Sequence, residues 1–222
     1  IFLIGMNLNQ LFHRLILCFL GVLSVLGSPS NGLAQSLDSI NSQLKFEHIR
    51  SVDGLNQNSI TSLFMDKAGM LWIGTQDGLH AYNGYDFSIF THSPNDPTSI
   101  SESYVSDIIQ DQEGYIWVST FGQGINRLDL NTGTFQHFGQ EQGLTEPRTT
   151  KLNLVGNTLW IGTKAGLFSL SIKSQHITRV NLSNENNVAP YITSLANVDN
   201  TYLLAGTQSS GVFAVSASTI TR

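Results

Sequence analysis

Histidine and carboxylate side chains are the ones best able to do chemistry in this chain, and their spacing argues against it. The 222 residues hold six histidines. His13 lies in the N-terminal segment, and His48, His80, His92, His137 and His176 occupy unlike surroundings, with no pair at a metal-ligand spacing. Asp66 and Asp111 recur within Asp-x-x-Gly, a pattern that sets Asp first and Gly fourth in a type I turn. No further carboxylates complete a calcium loop around them. Gly122-Gln123-Gly124 opens no helix, as a dinucleotide loop must, and no Gly-x-Ser-x-Gly elbow occurs. Catalytic residues, a metal and a cofactor are therefore not expected. A net charge of -5 and only 12% charged residues argue against a nucleic-acid partner.

Binding is the better expectation, and what must position a binding site is a repeat. Leu71-Trp72-Ile73-Gly74-Thr75 returns as Ile116-Trp117-Val118-Ser119-Thr120, Leu159-Trp160-Ile161-Gly162-Thr163 and Leu203-Leu204-Ala205-Gly206-Thr207. Its second position falls at 72, 117, 160 and 204, so the spacings are 45, 43 and 44. All three tryptophans of the chain occupy that position. Gly78-Leu79, Gly124-Ile125, Gly166-Leu167 and Gly211-Val212 follow, and a last apolar stretch starts near Phe87, Phe135 and Ile177. Each unit reads as four short strands joined by turns such as Asn83-Gly84 and Asn131-Thr132-Gly133. No segment beyond the N-terminal region shows helical periodicity.

Leu-Trp-Ile is apolar on both faces of a strand, so the sheet must be covered on both sides. Blades stacked around an axis do this. The expected fold is all-β: a β-propeller of four tandem four-stranded blades, about 59–92, 104–139, 150–180 and 191–222, with 44–50 as a closing strand. The four units are expected to form an incomplete arc of a larger ring. Trp72, Trp117 and Trp160 should fill the space between blades, and Gly74, Gly162 and Gly206 should let a neighbouring backbone approach.

In a four-stranded meander successive loops alternate between the two ends of the blade. The tight Asp-x-x-Gly and Asn-Gly turns share one face. The longer, unlike loops share the other, and irregular loops on a rigid scaffold are the usual home of recognition. Candidate ligand-binding residues on that face are Asp77, Glu102, Tyr104, Phe121, Gln123, Arg148, Lys164, Tyr191 and Gln208. Tyr and Phe can stack on sugar rings while the polar groups bond hydroxyls, so a small molecule or glycan is the expected partner.

The N-terminus reads differently. His13-Arg14 precedes an apolar run at 15–26, and Gly32-Leu33-Ala34 ends the segment as a signal-peptidase site does. Residues 1–34 are read as a signal peptide, with 1–5 ahead of the first methionine, and 35–43 as a linker. Export to the periplasm follows. The only cysteine, Cys18, lies in the apolar run, so the mature chain would hold no disulfide.

The repeat resembles the two-component regulator propeller family. The similarity rests on Asp66-Lys67-Ala68-Gly69-Met70-Leu71-Trp72-Ile73-Gly74-Thr75-Gln76-Asp77-Gly78-Leu79 and its copies, and on the opening segment Asp53-Gly54-Leu55. The second copy has Ser119 for Gly, and the third has Val155-Gly156-Asn157 in place of the Asp turn. The resemblance implies a seven-bladed extracytoplasmic sensor of a bacterial receptor. Its effector would be a histidine kinase or diguanylate cyclase, and it would signal as a homodimer. The effector and membrane segments would lie outside this sequence, so no enzyme activity is expected of these residues. A protein-binding scaffold and a secreted propeller lyase or hydrolase are the alternatives.

Overall fold

Short strands joined by tight turns organise the chain into successive four-stranded meanders. The structure is a computed structural model that describes residues 48–182, 188–198 and 202–216. The signal peptide and linker expected from the sequence lie outside these residues, as does most of 44–50, whose described end, 48–50, is irregular and exposed. Residues from Ile49 onward belong to one compact unit.

The first blade comprises β1 (Ile60–Met65), β2 (Leu71–Thr75), β3 (Gly78–Tyr82) and β4 (Phe87–Phe90). The second comprises β5 (Val105–Gln110), β6 (Ile116–Thr120), β7 (Ile125–Asp129) and β8 (Thr134–Phe138). The third comprises β9 (Thr149–Val155), β10 (Thr158–Thr163), β11 (Gly166–Ser171) and β12 (His176–Val180). The fourth shows β13 (Ile192–Val198), β14 (Tyr202–Thr207) and β15 (Val212–Ser216). Its expected outer strand falls beyond Ser216, outside the described residues. Every sheet runs antiparallel in sequence order, and among the described residues the only helical turns are two short 3-10 segments. Inner strands β1, β5, β9 and β13 neighbour one another in that order. The blades form an arc whose first inner strand leaves Leu63 and Met65 63% and 58% exposed.

The core lies between blades, not within them. Trp72, Leu79 and Ala81 of the first blade pack with Val105, Ile108, Ile116, Val118 and Leu128 of the second. Trp117, Ile125 and Phe138 then pack with Leu152, Leu159, Ile161, Phe168 and Leu170 of the third. Trp160 and Leu167 join Ile192, Leu203, Ala205 and Val215 of the fourth. Within one anchor, Ile116 and Val118 face backward and Trp117 forward, which is why the motif is apolar on both sides.

The tryptophan is tied to the turn behind it. Asp66 Oδ1 accepts from the main-chain N–H groups of Ala68 and Met70, and its Oδ2 accepts from Trp72 Nε1 at 2.9 Å. Asp111 repeats this with Glu113, Tyr115 and Trp117 Nε1, the last at 2.8 Å. Both carboxylates are buried. They are turn formers, as the sequence suggests, and also buried acceptors for the indole. The third blade closes the same hairpin with only Gly156 and Asn157 between paired Val155 and Thr158, and Trp160 Nε1 has no acceptor among the described residues.

Each inner strand carries a bulge at its second residue. The bulge aims a hydroxyl at the next blade. Thr61 donates to the Val105 carbonyl at 2.7 Å, Ser106 to that of Thr149 at 2.9 Å, and Thr150 to that of Ile192 at 2.8 Å. One step along, Asp107 accepts from Ser62 Oγ and from the Leu152 main chain and pairs with Lys151 at 3.5 Å, joining three inner strands.

The anchor glycines differ from expectation in what they admit. At Gly74 an added Cβ would stand 2.6 Å from Val105 Cγ1, and at Gly162 2.7 Å from Ile192 Cγ2. The group that approaches is the first side chain of the next inner strand, not its backbone. At Gly206 the nearest atoms belong to Ser194 of the same blade. In the second blade Ser119 replaces glycine, and the residue equivalent to Val105 and Ile192 is the smaller Thr149.

Candidate functional site

The long loops form a second repeat. Counting back from each inner strand aligns Leu55, Ile100 and Leu144, all buried, and then Asn56, Ser101 and Thr145. The next positions are Gln57, Glu102 and Glu146, and the position directly before the strand is Ser59, Tyr104, Arg148 and Tyr191. The buried apolar residue plugs the loop into the core, so the polar residues after it are carried toward the mouth of the arc.

A buried acceptor on the third strand fixes two of these loops. His80 Nε2 accepts from the Asn56 main-chain N–H at 3.1 Å, and Asn126 Oδ1 accepts from Ser101 at 2.9 Å. Since Nε2 accepts, the imidazole proton resides on Nδ1. Burial pushes the His80 pKa below its ordinary value, against the opposing pull of main-chain carbonyls and the Asp77 carboxylate. A histidine with a lowered folded pKa takes up its proton more readily when unfolded. Its contribution is therefore intact above pH about 6.5 and declines as pH falls below that value. Denaturant midpoints should drop from pH 7.5 to pH 5.5, and His80→Asn, which copies the second blade, should flatten that slope.

At the mouth the candidates meet in a row across blades two to four. The main-chain N–H after β6 donates from Phe121 to the Tyr104 carbonyl at 2.9 Å. Lys164 does the same to Arg148 at 3.1 Å and Gln208 to Tyr191 at 3.0 Å. The rings of Tyr104 and Phe121 lie 5.1 Å apart. Lys164 Nζ stands 4.5 Å from the Phe121 centroid and 5.9 Å from that of Tyr191, so one cation links the three blades. Arg148 donates through Nε and Nη2 to Glu146 at 2.7 and 2.9 Å. That pairing, with the charge of Lys164 adding to it, holds the Glu146 carboxyl below the usual carboxylate range.

Two of the expected residues stand apart. Asp77 is exposed on the first blade, where its N–H bonds Thr75 Oγ1 within its own turn. Gln123 is exposed at the tip of its loop. Neither makes a hydrogen bond, ion pair or ring contact with the row. Glu146 belongs to the row but was not among the residues expected there. The signal for it was the register Gln57, Glu102, Glu146. No group of histidine, cysteine, aspartate and glutamate side chains able to hold a metal ion occurs among the described residues.

Blades of four-stranded meanders, packed through a shared anchor, define a β-propeller repeat protein. Residues 54–77 and 99–122 match the two component regulator propeller family. The first match takes in the opening loop that His80 fixes. A 69-residue segment is 45% identical to Histidine kinase P4 of Formosa agariphila, and covers 31% of this chain and 5% of that protein. The extracellular domain of BT4673 from B. thetaiotaomicron, assigned to a one component system, superposes over 80% of this chain with a TM-score of 0.62 at 23% identity. This chain spans 26% of it. PorZ, a surface component of the type-IX secretion system of Porphyromonas gingivalis, gives a TM-score of 0.51 at 18% identity over 71% of this chain and 24% of PorZ. These two likenesses are of fold.

Proposed function

We propose that this propeller is the ligand-sensing, extracytoplasmic part of a bacterial membrane receptor, working through a histidine kinase or a related effector. The observation that carries the reading is the row of Tyr104, Phe121, Arg148, Lys164 and Tyr191, which three different blades bring to one mouth. The fold does not require these residue types, because Ser59 and Gln76 fill the equivalent places in the first blade. Aromatic faces with hydrogen-bonding groups around them suit a saccharide or a small ring-bearing molecule. The likeness of part of the chain to a histidine kinase supports that class of output. A ligand seated across several blades stabilises one relative arrangement of them, and a receptor dimer reads that preference across the membrane.

The test is a saccharide binding screen on the exported chain, followed by alanine exchange of Tyr104 and Tyr191. Each exchange is expected to weaken the retained ligand about tenfold, the loss of one stacking contact. Alanine at Asn83 on the opposite face should leave binding unchanged. Undiminished binding in both tyrosine variants would remove this mouth as the ligand face.

A further inference from the structure

Two polar side chains near the Phe121-Gly122 turn, Lys164 and Glu102, have hydrogen-bonding capacity to spare. The Lys164 ammonium lies against the faces of Phe121 and Tyr191, yet no described residue accepts any of its three N–H groups. An aromatic face attracts an ammonium without satisfying its donors. The carboxylate whose ionisation its charge favours is already engaged. Glu146 accepts from Arg148 Nε, Nη2 and the Arg148 main chain. Glu102 Oε2 lies 3.2 Å from the point a Cβ at Gly122, in the loop after β6, would occupy, so the carboxylate sits against Gly122, the residue after Phe121. No described residue donates to it.

Lysine is not what the repeat calls for at this place. The equivalent positions are Gln76, Phe121 and Gln208. A half-buried ammonium with open donors, an open carboxylate and a tilted aromatic pair describe a ligand with three matching parts. These are an anionic oxygen group, hydroxyls and an apolar ring face. Resting on the mouth as the ligand face, we infer that Lys164 selects a saccharide carrying a carboxylate, a uronate. The uronate carboxylate accepts from Lys164 Nζ. Ring hydroxyls donate to Glu102, and the C–H face of the pyranose lies on the Tyr104–Phe121 pair. A neutral sugar in the same place offers the ammonium a hydroxyl oxygen but no opposite charge, so the desolvation of the cation is offset less completely.

The experiment is calorimetric titration of the full chain with a galacturonate trimer and with the uncharged galactose trimer. The acidic trimer is expected to bind at least about tenfold more tightly, the worth of one charge-assisted contact. Lys164→Met should weaken the acidic trimer about tenfold and bring the two sugars close together, while Lys164→Arg keeps the preference. The arginine variant also keeps the test informative if the methionine variant unfolds. Raising salt from about 0.05 to about 0.5 M should erode the preference. Equal binding of both trimers, lost in Tyr104→Ala, overturns the selection of charge and leaves the mouth as the ligand face. Acidic-trimer binding that survives both Lys164→Met and Tyr104→Ala overturns the two readings together. Absence of any binding by the acidic trimer overturns the uronate assignment.

Discussion

Asp111→Ala lowers the stability of the propeller by about 3 kcal/mol, which for a domain of this size means a melting temperature lower by about 6–12 °C. The carboxylate is buried and accepts three hydrogen bonds, from Glu113 N, Tyr115 N and Trp117 Nε1. Alanine leaves the turn without its internal acceptor and strands a buried indole donor. Asp111→Asn falls between, since one oxygen still serves the main chain while an amide N–H meets the indole N–H. The internal control comes from the third blade. Trp117 and Trp160 are both 1% exposed, but Trp160 Nε1 has no acceptor among the described residues. Replacing either with Phe removes the same apolar area, so the two costs should differ by the charged hydrogen bond alone, about 1.5–3 kcal/mol. Equal losses in the two variants would show that the Asp–Trp bond contributes nothing.

The same comparison explains what the sequence makes legible. Strand order, blade limits and the two faces of the anchor follow from spacing and hydrophobic pattern, which are local properties. That Asp66 and Asp111 hold the turn is also local, because both main-chain partners lie within four residues. Their bond to the tryptophan was not read from the sequence, although the copies hold a trace of it. The two Asp-x-x-Gly copies precede tryptophan, the third tryptophan lacks the turn, and the fourth unit lacks both. The hydroxyl links were harder to see, because Thr61, Ser106 and Thr150 reach the next blade only through a bulge, and a bulge leaves no residue signature. At the mouth, spacing placed the loops on one face. It did not reveal which loop tips converge. Asp77 and Gln123 lie on the same face as Lys164 but are exposed and make no contact with the row, and Glu146 entered through its ion pair with Arg148.

Gly162→Val separates the third and fourth blades, and it does so at a distance from the candidate ligand. The anchor glycine faces Ile192, and an added Cβ would lie 2.7 Å from Ile192 Cγ2 and 3.3 Å from Thr150 Oγ1. Contacts that close force Ile192 away, and with it the carbonyl that accepts from Thr150 at 2.8 Å. Overpacking of this kind costs about 1–3 kcal/mol. In a repeat architecture the loss is confined largely to one interface. Hydrogen exchange should therefore quicken in β13 to β15 and change little in β5 to β8. The neighbouring residue is Tyr191, so ligand affinity at the mouth should fall without any change to a residue proposed to touch it. The second blade supplies the rescue, since Ser119 and Thr149 hold the equivalent places there with both side chains buried. Gly162→Ser alone crowds Ile192. Gly162→Ser combined with Ile192→Thr reproduces the residues of the second blade, Ser119 and Thr149, and should recover both protection and binding. If the double variant is no better than the single one, the contact between anchor and next strand is not what sets the blades together.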